Sequence, residues 1–143
     1  MISCQSEGCA PIVQAFEDNE RHAKPFENAH TVASGLRVPV AVGDFMILDA
    51  VRESGGCAMS APESCIDEWM KKIAHLEGLA ICPETAICMG VLDKLLSSGA
   101  IKPDERILVF NTGGAMKYPE LIEEPAHCHD LSQSFDWRAM ARD

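Results

Sequence analysis

The sequence is poor in basic side chains and has no long apolar run. Lysine and arginine together number 12 against 22 aspartates and glutamates, which gives a formal charge of -10. No lysine- or arginine-rich block is present that could follow a phosphate backbone. The most apolar stretch, 38–51, contains Asp44 and Asp49 and is shorter than the roughly 18 residues that a membrane span requires. We therefore expect neither a nucleic-acid partner nor a membrane protein.

Motifs for several common chemistries are missing as well. The sequence has no G-x-G-x-x-G fingerprint, no P-loop and no G-x-S-x-G, so it offers no support for nucleotide binding or serine hydrolysis. Its seven cysteines include no C-x-x-C pair and form no zinc-finger spacing, which indicates reduced and mostly buried thiols. The densest ligand cluster, His127-Cys128-His129, is expected to be solvated, and we predict no metal. The N-terminus lacks a basic region followed by an apolar one, so we expect a cytoplasmic protein.

The apolar residues that are present recur with the periods of strands and helices. With 143 residues and 47% hydrophobic side chains, the chain is long enough for one domain with its own core. Strands are predicted at 1–5, 57–59 and 106–110, and helices at 11–17, 45–51 and after Pro83. Another helix is predicted from a continuous apolar stripe, preceded by an S-x-x-E capping box at Ser60 and Glu63. The stripe consists of Ile66, Trp69, Met70, Ile73 and Leu76.

The alternation of strands and helices predicts an α/β fold, layered αβα, with a largely parallel sheet. Residues 1–120 are expected to form this domain. Residues 121–143 are expected to form an irregular acidic tail with at most one short helix, near Trp137.

A polar loop follows the predicted strand 106–110. In open α/β sheets ligands bind beyond the carboxyl ends of strands, and 111–114 (Asn-Thr-Gly-Gly) occupies such a position. The residues alone leave two interpretations open, a ligand loop and a simple glycine turn. Lys117 is compatible with a Schiff-base amine, but a lysine after a glycine loop is more often solvated. Glu7, Glu77 and Glu84 lie at helix boundaries, where carboxylates commonly act as caps.

Ordered blocks of sequence resemble the C-terminal part of threonine synthase. They extend over about residues 1–120 and occur in the family's order. The blocks are Ser6-Glu7-Gly8-Cys9-Ala10-Pro11-Ile12-Val13, the run Thr31-Val32-Ala33-Ser34-Gly35-Leu36-Arg37-Val38-Pro39 that continues to Gly43-Asp44-Phe45, Val51-Arg52-Glu53-Ser54-Gly55-Gly56, Glu77-Gly78-Leu79, Cys82-Pro83-Glu84-Thr85, Asp104-Glu105-Arg106 and Phe110-Asn111-Thr112-Gly113.

This resemblance implies a fold and a chemistry. The fold is the C-terminal half of the large domain of fold-type II (tryptophan-synthase-β-like) pyridoxal-phosphate enzymes. Threonine synthases of this branch convert O-phosphohomoserine and water to threonine and phosphate. By resemblance, Ser34 and Gly35 line the cofactor face, Thr112 meets the pyridine nitrogen between Asn111 and Gly113, and Arg37 contacts an anionic substrate group.

The same resemblance places the Schiff-base lysine and the loop that grips the cofactor phosphate before the first residue of this chain. We therefore expect no catalytic residue here, no activity of the chain alone and no retention of pyridoxal phosphate by it. The expected partner is a second copy, giving a homodimer, or a chain that carries the lysine-bearing half. The alternative is a stand-alone noncatalytic module that self-associates or binds a small anion.

Overall fold

The computed structural model describes residues 1–122, and the predicted tail helix near Trp137 lies outside them. The chain begins with strand β1 (Ile2–Ser6) and helix α1 (Pro11–Glu17), followed by a long irregular segment. Helix α2 (Asp44–Glu53), strand β2 (Cys57–Ala61), helix α3 (Cys65–Glu77) and helix α4 (Pro83–Ser97) follow within the described residues. Three short 3-10 turns lie at Ser34–Leu36, Ala115–Lys117 and Pro119–Leu121.

The two strands pair in parallel, with Ile2 opposite Cys57 and Ser6 opposite Ala61. A parallel pair needs a long crossover between its strands, and α1 and α2 lie within that connection. Because successive side chains point to opposite faces of a strand, each face of this sheet needs its own cover.

One hydrophobic cluster lies on each face of the sheet. On one side Ala58 of β2 packs with apolar residues of α1 and with Leu48 of α2. On the other side Ala61 packs with Ile66 of α3 and with the α4 residues Ala86, Ile87, Val91 and Leu95. Helices therefore cover both faces, and the predicted layered αβα arrangement with a parallel sheet is confirmed.

Helix α4 approaches the sheet closely at Gly90. A Cβ atom at this position would lie 2.6 Å from Cys65 Sγ and 3.0 Å from the Cβ of Ala61. The first distance is shorter than real Cβ contacts and the second is unusually tight, so any other residue at this position would force Cys65 or Ala61 to move. The predicted core positions of α4, Ile87, Val91 and Leu95, are all buried.

Asp44, the first residue of α2, anchors the charged excursion 18–28. Its carboxylate accepts hydrogen bonds from the backbone N–H groups of Ala23 and Phe45, both at 2.6 Å. The Ala23 hydrogen bond is the main reason that the pKa of Asp44 lies below its usual value. The excursion itself is largely exposed, as its sequence predicts.

Two local predictions are wrong. Ser60 lies inside β2 and α3 begins only at Cys65, so the S-x-x-E pattern is not a capping box. The run 106–110 forms no strand, and Leu108 and Phe110 are 78% and 76% exposed. This run has the composition of a strand, but within residues 1–122 no neighbouring strand pairs with it.

Among the described residues, no helix has the length and apolar character needed to cross a membrane.

Helix α1 depends on a side chain from the neighbouring strand for its N-terminal hydrogen bonds. The buried Gln5 of β1 accepts from the N–H groups of Ile12 (2.9 Å) and Val13 (3.1 Å), and no side chain at the helix's own N-cap does so. We predict that Gln5→Leu lowers the free energy of unfolding by about 1–3 kcal/mol, because two buried amides lose their acceptor.

Urea denaturation measures this change. Gln14→Leu, at an exposed position of α1, is the matched control and should shift the free energy of unfolding by less than about 0.5 kcal/mol. Equal losses in the two variants would contradict the role given to Gln5.

Candidate functional site

The 3-10 turn Ser34–Leu36 is held against the N-terminus of α4 by one carboxylate. The backbone N–H of Gly35 donates to Glu84 Oε1 at 2.9 Å. A Cβ atom on Gly35 would lie 2.9 Å from that same oxygen, so any other residue would force the Glu84 carboxylate to move. Glycine therefore allows the turn to come within hydrogen-bonding distance of Glu84.

Tyr118 brings a third segment of the chain to this point. Its hydroxyl donates to Glu84 Oε1 and lies 2.8 Å from Ser34 Oγ. Tyr118 directly follows the turn Ala115–Lys117, so one phenol joins that turn to both α4 and the Ser34–Leu36 turn. Residues 34, 84 and 118 are thus fixed together although they are far apart in the sequence.

A second carboxylate, that of Glu63, holds the residues that precede the turn. Glu63 accepts a hydrogen bond from the Val32 N–H at 3.0 Å and another from the hydroxyl of Ser6 at the carboxyl end of β1. The Ser6 oxygen in turn accepts from the Gly8 N–H at 3.1 Å. Segment 31–36, which contains no strand or α-helix, is therefore fixed at one end by Glu63 and at the other by Glu84.

The polar loop after residue 110 is attached to α4 by its asparagine. Asn111 Oδ1 accepts a hydrogen bond from the hydroxyl of buried Thr85 at 2.8 Å, and that hydroxyl lies 3.3 Å from Cys82 Sγ. The Ala115 N–H donates to the Ala80 carbonyl at 2.9 Å and fixes the far end of the loop. Between these two anchors Thr112 is exposed, and its hydroxyl has no hydrogen-bond partner within residues 1–122.

These segments surround an open cleft of about 390 Å³. It is lined by Ser34, Gly35, Leu36, Cys82, Glu84, Thr112, Gly113, Lys117 and Tyr118. A volume of this size lies within the range of small-molecule sites. A second hollow, beside α1, has only about 30 Å³ and holds little more than one water molecule.

The hydrogen bonds at the cleft set the charge of its acidic groups. Partial burial alone would raise the pKa of Glu84, but the hydrogen bonds from Tyr118, Cys82 and the Gly35 N–H outweigh it and lower the pKa. Burial raises the pKa of Tyr118, and the adjacent Glu84 raises it further. At neutral pH the cleft therefore holds an ionised carboxylate that accepts from a protonated phenol.

The structure brings together four of the site residues predicted from the sequence. Ser34, Gly35, Thr112 and Gly113 all line the cleft. Asn111 supports the loop from the side through Thr85. Arg37 follows the Ser34–Leu36 turn directly but does not line the cleft.

The sequence analysis missed the roles of Glu84 and Tyr118. Glu84 was interpreted as a helix-boundary carboxylate, and at the start of α4 its carboxylate reaches across to another segment. The Cys82-Pro83-Glu84-Thr85 block of the resemblance was the available signal for it. Tyr118 carried no signal in the sequence, because its partners are 34 and 84 residues away.

Comparison with known proteins assigns the chain to a family. The sequence pattern described as "Pyridoxal-phosphate dependent enzyme" matches residues 1–113, so the chain belongs to that family and the predicted resemblance is confirmed. Within it, the threonine synthases of Methanocaldococcus jannaschii and Methanosarcina acetivorans are each 36% identical over 129 residues. Each match covers 87% of this chain, which spans about a third (32%) of either relative.

A solved structure shares the fold of this chain. A threonine deaminase, from the organism abbreviated T.th., superposes with a TM-score of 0.55 at 18% identity, over 71% of this chain and 35% of that one. At this identity the likeness concerns the fold alone. It agrees with the predicted α/β class and with the parallel pairing of β1 and β2.

The cleft residues fit one edge of the family's cofactor. The exposed Thr112 hydroxyl can act as donor or acceptor, as a hydrogen bond to a pyridine nitrogen requires. Next to it, a Cβ atom on Gly113 would lie 3.3 Å from Lys117 Nζ and 3.6 Å from Cys82 Sγ, so glycine keeps this wall of the cleft open. Within residues 1–122, Lys117 is the one cationic side chain that lines the cleft.

The two carboxylates make the anchoring of segment 31–36 dependent on pH. Burial raises the pKa of Glu63, but hydrogen bonds from Ser6, Thr31 and the Val32 N–H lower it overall, and the pKa of Glu84 is also lowered. A carboxyl group whose pKa is lower in the folded state stabilises the fold at pH values above its pKa in the unfolded chain, which is about 4.3. This contribution is lost as the pH falls through the lower pKa of the folded state. We predict that Glu63→Gln and Glu84→Gln each reduce the loss of stability between about pH 6 and about pH 3.

Urea denaturation across this pH range measures the effect. Glu77→Gln removes the same charge at an exposed position at the end of α3 and should leave the acid dependence unchanged. An acid dependence that is the same in all three variants and in the parent chain would show that Glu63 and Glu84 are not the groups responsible.

Proposed function

We propose that this chain forms the ring-nitrogen side of a pyridoxal-phosphate site in a threonine-synthase-like enzyme. In this proposal the substrate is O-phosphohomoserine and the products are threonine and phosphate, as expected from the two threonine synthases it resembles. The chain spans 32% of those relatives, and in this proposal a further segment completes the site.

The observation that carries this proposal is the convergence of two sequence blocks in one cleft. Ser34 and Gly35 on one side and Thr112 and Gly113 on the other are about 77 residues apart, and all four line the same space. The resemblance selects these four residues, together with Asn111 and Arg37, without reference to their positions in the fold. If residues 113–114 formed only a glycine turn, neither the Thr112 hydroxyl nor the Ser34–Leu36 turn would have to face the same cleft.

Each of these residues has a distinct task in the proposal. The Thr112 hydroxyl pairs with the pyridine nitrogen; because it is neutral, it does not hold a full positive charge on the ring. Glu84 and Tyr118 fix the Ser34–Leu36 turn that faces the cofactor. When bound, pyridoxal phosphate supplies the electron sink for the reaction. Arg37, beside the turn, is the proposed contact for an anionic substrate group.

The chain alone is proposed to be inactive. None of its six lysines lies where the resemblance places the Schiff-base lysine. Lys117 lines the cleft, but it lies beside Gly113 on the same wall as Thr112, and we do not assign it that role. The proposed partner is a polypeptide region that carries the lysine, docking along the exposed run 106–110, where Leu108 and Phe110 are uncovered.

A chimaera tests this proposal. The full chain replaces the matching third of the Methanocaldococcus jannaschii threonine synthase, and the cofactor absorbance of the purified protein reports binding. We predict that the chimaera binds pyridoxal phosphate, that the chain alone shows no aldimine absorbance, and that Thr112→Val weakens binding in the chimaera. One lost neutral hydrogen bond costs about 1 kcal/mol, which corresponds to about a fivefold weaker affinity.

Thr112→Ser keeps the hydroxyl and is the matched control, with an affinity close to that of the parent chimaera. A folded chimaera without cofactor would argue against the proposed function. Equal affinities of the valine and serine variants would remove Thr112 from the site.

The exposed apolar surface also favours a noncatalytic, self-associating protein as the second candidate. Besides Leu108 and Phe110, helix α2 exposes Met46 (65%) and Ile47 (40%), and β1 and β2 form a sheet of only two strands within the described residues. Open strand edges and contiguous apolar surface promote association. A two-fold dimer is the commonest closed arrangement, and we propose it for the chain in isolation.

Light scattering at low micromolar concentration checks this state. We predict twice the chain mass of 15.5 kDa for the full chain and a lower mass for Leu108→Asp, which places a charge in the exposed run. Leu76→Asp, at an exposed position of α3 (62%), is the matched control and should keep the dimer mass. A monomer mass for the unmodified chain would contradict the dimer.

A further inference from the structure

The cleft holds two opposite charges that do not pair with each other. Glu84 and Lys117 both line it, yet they are not within salt-bridge distance of one another. The Lys117 ammonium has no hydrogen-bond or ion-pair partner among residues 1–122. The cleft therefore presents a negative and a positive group at separate points of one space.

The hydrogen bonds of Tyr118 determine what the negative side offers to a ligand. A phenol hydroxyl carries a single proton, and Tyr118 donates it to Glu84. The 2.8 Å contact between the Tyr118 hydroxyl and Ser34 Oγ is then a hydrogen bond that Ser34 donates. The Ser34 proton is thus directed at the phenol, and only the lone pairs of the serine oxygen remain for the cleft.

An acceptor that is backed by a carboxylate is suited to a positively charged donor. Ser34 is exposed at the cleft, so a ligand can reach its oxygen. Successive hydrogen bonds polarise one another, and the series from Ser34 through Tyr118 ends at the ionised Glu84. A primary ammonium group is the matching ligand group, because it carries a full positive charge and several N–H donors.

The opposite wall of the cleft is suited to an anionic group. The Lys117 ammonium lies over Gly113, where a Cβ atom would be 3.3 Å from it, so glycine leaves this approach open. An ammonium without a partner favours a carboxylate, with which it forms charge-assisted hydrogen bonds. The volume of about 390 Å³ between the two walls leaves room for a small amino acid.

We propose that the cleft of this chain is a noncovalent binding site for a small zwitterionic amino acid, whose ammonium group donates to Ser34 Oγ and whose carboxylate contacts Lys117. Tyr118 is a positioning residue, because it sets the direction of the Ser34 hydroxyl. This inference rests on the proposed function for the choice of threonine as the probe. It assigns binding to the chain without its cofactor, and no covalent step is involved.

Titration of the full chain with L-threonine tests the site, with the backbone amide NMR signals of Gly35 and Gly113 as reporters on its two walls. We expect saturable shifts of both signals. Two analogues each lack one charge: 1-amino-2-propanol has no carboxylate, and 2,3-dihydroxybutyrate has a hydroxyl group in place of the ammonium. Each should bind about tenfold more weakly than threonine, because one charged hydrogen bond is lost. This comparison needs no variant to fold.

Variants assign each charge of the ligand to its wall. Ser34→Ala and Tyr118→Phe should weaken the binding of threonine and 1-amino-2-propanol about tenfold but not that of 2,3-dihydroxybutyrate. Lys117→Met should weaken threonine and 2,3-dihydroxybutyrate but not 1-amino-2-propanol. A general loss of structure would not produce these opposite selectivities.

Ser64→Ala and Lys102→Met, at exposed positions that do not line the cleft, are the matched controls and should keep the affinity for threonine. Absence of saturable shifts in the unmodified chain, equal affinities for threonine and both analogues, or unchanged binding in Ser34→Ala would overturn the proposal. The chimaera is scored by its cofactor absorbance and gives a separate result. Cofactor binding there, without threonine binding to the chain alone, would overturn only this inference and leave the proposed function in place.

Discussion

The cleft depends on the Glu84 carboxylate. One of its oxygens accepts from the Gly35 N–H and from the Tyr118 hydroxyl, and so it connects the start of α4 with two segments that have no α-helix or strand of their own. Charged acceptors form stronger hydrogen bonds than neutral ones. Without this carboxylate, only the hydrogen bond between Tyr118 and Ser34 would join the Ser34–Leu36 turn to the segment that follows Thr112.

The layered core explains why Glu84 can serve as that anchor. Helix α4 is fixed along its length by buried Ile87, Val91 and Leu95 and by the close approach at Gly90. Its first turn is therefore a rigid platform, and Thr85 on the same turn holds Asn111. The site is built on an element whose position is set by packing, which is the usual way that loops are held in a functional geometry.

The partial coverage of the relatives and the exposed apolar surface both favour the proposed association of this chain with another polypeptide. A family that is dependent on pyridoxal phosphate matches 113 residues of the chain, yet the chain spans only a third of its threonine synthase relatives. Leu108 and Phe110 belong to a run with the composition of a buried strand, yet both side chains are exposed within the described residues. A surface of this kind is suited to association, and the proposed lysine-bearing region and the proposed second copy would compete for it.

The sequence by itself determined the helices with strong apolar periodicity, the parallel α/β class and the family, because these depend on local spacing and on ordered blocks of residues. It also selected Ser34, Gly35, Thr112 and Gly113, which the structure brings to one cleft. The tertiary structure alone decided the partners of Glu63, Glu84 and Tyr118, since each bonds to residues more than 30 positions away. It also decided that 106–110 is not a strand, because a strand is defined by the neighbour it pairs with and not by its own composition.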